Sequence, residues 1–208
     1  MQSHLYLSIF VFRSLICLTY SLNDKGHGIE HINYVLERCF IFETQFKNID
    51  PDILYTIACF HDIAHHINKA QHEVLSADNF YKNEDMINFF TEDKRVIIKE
   101  AIEDHRASAQ KTPRSDYGKI ISSADRSTNI KEFLTRTHSY TLKHHPDLTI
   151  EQIIERGYSH TKDKYGFDGY AKKLFEKNMT LKIGTPISYK LDEDEIVKEW
   201  ARQICEFT

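Results

Sequence analysis

The chain has 208 residues, 41% of them apolar and 12% aromatic, with only 7 Gly and 4 Pro, so it can bury a core and is short of turn-formers for a loop-rich or β-sandwich protein. A formal net charge of -4 excludes the broad basic field that extended nucleic acid requires, though not a local site for a small phosphorylated ligand. The four cysteines, Cys17, Cys39, Cys59 and Cys205, form no C-x-x-C pair, which argues against a disulfide framework or a thiolate zinc site and for reduced side chains in a cytoplasmic protein.

Leu5 to Leu22 is largely apolar, and its one charge, Arg13, falls in the middle of the run. A secretory signal would carry its charge first and a membrane span would be longer, so a packed first helix is expected, with no membrane as partner. Asn23 to Gly26 is a turn. Ile29, Ile32, Leu36, Cys39 and Phe40 then follow helical spacing. Asp50-Pro51 is a helix start, and that helix runs through Ile53, Leu54, Ile57, Ala58 and Phe60 into His61-Asp62. A third helix covers Glu73 to Tyr81. Thr91 caps a fourth, with Val96, Ile97, Ala101 and Ile102 inward and His105 near its end. Pro113 and Ser115 open a fifth, which carries Ile120, Ile121, Ala124 and Asp125. Phe133, Leu134, Thr137, Tyr140 and Thr141 predict a sixth, Thr149 with Gln152 a capping box for a seventh, and Asp192 the cap of a last helix. Residues 163–190, broken by Gly166, Gly169, Gly184 and Pro186, leave room for a short hairpin. The expectation is one all-α domain over 1–208, an orthogonal bundle of about seven to nine helices, with a motif-bearing core at 24–135 and a helical extension at 146–208.

Seven of the twelve histidines fall between His27 and His105. His61 and Asp62 are adjacent in an apolar helix, where an aspartate is rarely buried unless it is paired or binds a cation. His31, His105 and Asp125 are further polar residues on otherwise apolar helices. The segments GHGIEHINYVLE (26–37), ACFHDIAHH (58–66), HEVLSA (72–77), AIEDHRAS (101–108) and YGKIISSADRS (117–127) together resemble the HD-domain phosphohydrolase superfamily, whose pattern is H…HD…D along a helical bundle.

That resemblance implies metal ligands at His31, His61, Asp62 and Asp125. Two imidazoles and two carboxylates suit a divalent Mn, Fe, Co, Ni or Mg ion better than structural zinc. It also implies hydrolysis of a small phosphate ester, with a nucleotide foremost, by a metal-activated water that Asp62 or Asp125 would orient. His72 and His105 stand where some members bind a second ion. An unbroken helix would carry His72 about 16 Å along the axis from His61, so a second site requires a break near 66–71, with Asp62 as the bridge. His27 precedes His31 by one turn and His65 follows His61 by one. With His66, they are the candidates to protonate the leaving group. Arg106, Lys119 and Arg126 are the candidates to contact phosphate. The competing readings are a two-metal hydrolase of dinucleoside polyphosphates or cyclic nucleotides, an oxygen-dependent two-iron enzyme, and a non-catalytic metal-containing regulatory or nucleotide-binding domain. A homodimer stays open.

Overall fold

The computed structural model describes residues 16–109, 111–127, 129–180, 198 and 202. All regular structure among them is helical, with no strand. The chain divides into two compact units, Met1–Asp125 and Arg126–Thr208.

In the first unit, residues 16–20 are helical, with Ile16 and Tyr20 buried and Leu18 exposed. Residues 5–15 of the expected first helix lie outside the described residues. Asp24 accepts a hydrogen bond from Gly26 N and turns the chain into a 3-10 turn, Lys25–His27. Helix α1 (Ile29–Phe42) follows. It buries Ile32, Val35, Arg38, Cys39 and Phe42, so its inward face is rotated from the expected one, and Ile29 and Phe40 are partly exposed.

Helix α2 (Pro51–Phe60) starts as the sequence predicts, with Pro51 at the first position and the Asp50 carboxylate accepting from Asp52 N. Seven of its ten residues are buried, which makes it the central helix of the unit. It ends at Phe60, earlier than the break expected at 66–71, and residues 61–67 are turns. The fixed point is Tyr20: its hydroxyl donates to Cys59 O and accepts from Asp62 N, so this backbone is tied to a distant side chain where the helical ladder stops.

Helix α3 (His72–Lys82) is followed by α4 (Glu84–Phe89), an element the sequence reading missed. Its signal is the Asn83 side chain, which accepts from Met86 N ahead of two acidic first-turn residues. Helix α5 (Glu92–Asp104) turns Ile98, Ala101 and Ile102 inward, whereas Val96 is partly exposed. The inward row is therefore 98, 101, 102 and 105, the 3–4 spacing of one helix face. Helix α6 (Asp116–Ala124) is capped by Ser115, as expected, and its C-cap is Asp125. Helix α1 packs on α2 and α6, and α5 packs on α2, α3 and α6. Five helices, α1, α2, α3, α5 and α6, thereby deliver polar ends to one locus.

The second unit contains α7 (Ile130–His144), α8 (Ile150–Tyr165) and α9 (Tyr170–Asn178), with α8 packed on both neighbours. The capping box of Thr149 and Gln152 is formed in both directions. No hairpin occupies 163–178. Helix α8 continues to Tyr165, and α9 starts directly after Gly169. The helix expected after Asp192 lies outside the described residues, apart from helical Lys198 and Arg202. Among the described residues, no helix is long and apolar enough to cross a membrane.

Candidate metal centre

Asp62 lies at the centre of the site and is almost fully buried. Its two carboxylate oxygens face different partners. Oδ2 lies 3.5 Å from His31 Nε2 and 3.5 Å from His61 Nε2. His31 Nε2 is in turn 3.1 Å from Asp125 Oδ1 and 3.3 Å from His61 Nε2. The other oxygen, Oδ1, lies 3.3 Å from His72 Nε2 and 3.4 Å from His105 Nε2, and these two nitrogens are 3.0 Å apart. Two groups of potential ligands thus share one carboxylate, His31, His61 and Asp62 on one side and Asp62, His72 and His105 on the other, and Asp125 reaches the first group through His31.

Local backbone geometry aims the rings. His61 Nδ1 lies 2.7 Å from Ala58 O, His72 Nδ1 3.0 Å from Lys69 O and His105 Nδ1 2.6 Å from Ile102 O. A carbonyl can only accept, so each Nδ1 carries the proton and donates it, and each Nε2 turns toward Asp62. Every acceptor lies three residues before its histidine. This is available because His61 and His105 are helix C-caps and His72 opens a helix after a turn. Metal-binding imidazoles characteristically donate their second N–H to such a carbonyl, which sets the tautomer and the ring direction.

The electrostatics agree with a positive charge at this point. Burial pushes the His61 imidazole down to about 4, so it is neutral and its Nε2 is available as a donor atom. Burial, together with the neighbouring His105, also lowers His72. Burial works against the Asp62 carboxylate, yet His61 and a hydrogen bond from His105 hold it well below the usual range. Burial lowers His105 as well, but Asp62 outweighs it and His105 stands above its ordinary value. Asp62 Oδ1, His72 Nε2 and His105 Nε2 converge on one point, the place a divalent cation would take. The donor set of imidazoles and carboxylates fits such an ion, and no thiol belongs to either group.

The remaining expected site residues fall in three settings. His27 and His65 lie beside the cluster, their rings stacked at 3.7 Å and 20°, with His27 also edge-on to His31. His27 Nδ1 donates to Asp24 Oδ1 at 2.7 Å, and Lys69 pairs with the other Asp24 oxygen at 2.6 Å. Burial and the neighbouring His27 hold His65 down to about 3. His66 is exposed, with its backbone and ring both bonded to Asn23 Oδ1. The structure does not bring Lys119 to the cluster: its ammonium pairs with Asp116 and lies over the Phe46 ring. Arg106 follows His105 directly, but its guanidinium binds Glu73, Ala70 O and Ser108. Arg126 opens the second unit and is buried.

The sequence reading missed three residues that hold the site. Asn23 Nδ2 donates to His27 O and to Asp62 O, and ties the 3-10 turn to the HD backbone. Tyr20 grips the same backbone. Arg38, two helical turns beyond His31, donates from Nε to Ala124 O at 2.9 Å and from Nη2 to Ser123 O at 3.3 Å, at the end of α6 that presents Asp125. A buried arginine seven residues after a candidate ligand was the available signal for the last.

Residues 28–130 match the family model of the HD domain. No curated protein and no solved structure matches the chain.

Proposed function

The chain belongs to the HD-domain family, and on that premise we propose that it is a phosphohydrolase that uses two divalent cations to cleave a small phosphate ester, with nucleotides as the expected substrate class. The observation that carries this reading is the convergence of three imidazole Nε2 atoms on the two oxygens of buried Asp62, each ring locked by a carbonyl three residues earlier.

His31, His61, Asp62 and Asp125 would hold one ion, and Asp62, His72 and His105 the other. Such ions activate water near neutral pH and neutralise charge on the phosphoryl oxygens. The protein supplies the rest. The apolar walls of α2 and α5 keep Asp62 and His61 out of bulk water, and the lower dielectric strengthens their electrostatic interactions. Asp125, partly accessible, is placed to orient an attacking water against His31. His27, held by Asp24 and stacked on neutral His65, is the candidate to hand a proton to the leaving oxygen. Use of His72 and His105 favours the two-ion chemistry known for dinucleoside polyphosphates and cyclic nucleotides over a single-ion phosphomonoesterase.

The test is a panel of nucleoside mono-, di- and triphosphates, cyclic nucleotides and dinucleoside polyphosphates, assayed with Mn, Co or Mg. Asp62→Asn is expected to lose both metal retention and turnover. Full turnover by metal-free Asp62→Asn would defeat the proposal. Silence across the panel, with tight binding of one nucleotide, would assign the chain to ligand sensing instead.

A further inference from the structure

Neither His72 nor His105 sits inside a regular helix. His72 is the first residue of α3, whose N-cap, Gln71, makes no side-chain capping bond, and His105 is the C-cap of α5. Helix ends without side-chain caps fray, so the backbone segments that carry these two rings depend on other contacts. The pair that spans them is ionic. Arg106, next to His105, donates from Nη1 to both oxygens of Glu73 at 3.0 and 3.1 Å, and Glu73 is next to His72. The same Nη1 donates to Ala70 O, two residues before His72, and Nε donates to Ser108 Oγ. One guanidinium therefore grips the chain on both sides of His72 while following His105 directly.

The geometry points to the Glu73–Arg106 ion pair as a positioning clasp that fixes His72 and His105 for the second divalent cation. The inference rests on the two-ion reading above. It reassigns Arg106 from contact with phosphate to placement of a metal ligand. Arg106 is 30% exposed and Glu73 16%, and an ion pair this accessible adds little to global stability. Its effect therefore falls on ion affinity, not on the melting temperature. The first ligand group meets the second only in the shared Asp62. Its ends are held by Tyr20 on the HD backbone and by Arg38 on the last two carbonyls of α6.

The experiment titrates the full chain, stripped of metal, with Co(II) by calorimetry and by visible absorption, and counts bound cobalt after gel filtration. Wild-type chain is expected to bind two ions, and His72→Ala one. Glu73→Gln and Arg106→Lys are each expected to bind the first ion normally and the second about 10- to 100-fold more weakly, the range for groups that orient metal ligands. Their metal-free melting temperatures should match wild type. Putting Glu73→Arg and Arg106→Glu in one chain should recover part of the second affinity. Two ions at wild-type affinity in both single variants would overturn the clasp and leave the two-ion reading intact. Equal weakening of both ions, or a large drop in melting temperature, would also overturn it by showing a brace for the whole fold. A wild-type chain that binds one ion, unaffected by His72→Ala, would sink the two-ion reading, and the clasp with it.

Discussion

Arg38→Met tests how the position of Asp125 is secured. Arg38 is buried, and its guanidinium donates to the last two carbonyls of α6, with the rings of Tyr34 and Phe42 at 5.2 and 4.9 Å from its central carbon. A positive charge at a helix C-terminus also complements the helix dipole. Methionine keeps much of the apolar contact with both rings and removes the charge and the donors. The two buried carbonyls are left without these donors, at about 1–3 kcal/mol each, or about 2–6 kcal/mol together. Against a typical stability of about 5–15 kcal/mol that is a large fraction. It corresponds to a drop in melting temperature on the order of 4–24 °C for a chain of this size. Asp125 is the next residue after these carbonyls, so loosening them should also weaken the first ion by about tenfold or more. Differential scanning calorimetry and cobalt titration read the two effects. Arg38→Lys, which cannot fork to both carbonyls, should fall between. A methionine variant that melts like wild type and binds the first ion normally would refute the claim that this arginine organises the end of α6.

Three further outcomes are expected. Asn23→Ala removes the bonds to His27 O, Asp62 O and His66 N, and should raise amide exchange at residues 61–67 with little change in α5 or α6; unchanged exchange there would count against its role. The metal-free protein should lose stability as pH falls from about 6.5 toward 4. Burial holds folded His61 near 4 and His65 near 3, while the unfolded chain takes up protons below the ordinary value of 6.5. His105 has the opposite sign, because its raised value stabilises the fold at low pH, and the depressed Asp62 adds a loss only in strong acid. A melting temperature that rises on acidification over that window would contradict the balance. Gly118→Ala should destabilise the junction of α5 and α6, because a Cβ there would lie 3.0 Å from Pro113 Cβ and 3.1 Å from Asp104 Oδ2; calorimetry showing equal or higher stability would contradict it.

Much of the fold is legible along the chain because its signals are local. Asp50-Pro51, Ser115 and the Thr149–Gln152 box mark helix starts within a few residues of themselves. The ligand candidates stand out for a similar reason: His31, His61, Asp62, His105 and Asp125 are polar side chains on helices that otherwise turn apolar residues inward. The face each helix turns inward is less secure. On α1, Arg38 takes an inward position that Phe40 was expected to hold, since an arginine able to bond two carbonyls can be buried where spacing alone would choose an apolar residue.

The site's working geometry depends on partners far apart in sequence. Residue order names Asp62 but cannot divide its two oxygens between His31 with His61 and His72 with His105. That division needs α2 to stop at Phe60, and Tyr20 and Asn23 take up the backbone where it stops. The same holds for Glu73 and Arg106, ordinary surface charges in the sequence that become a bridge only when α3 packs on α5. Helix identity follows from short-range periodicity and caps. Where a helix ends, and where its last side chain points, follows from packing between segments that the sequence keeps dozens of residues apart.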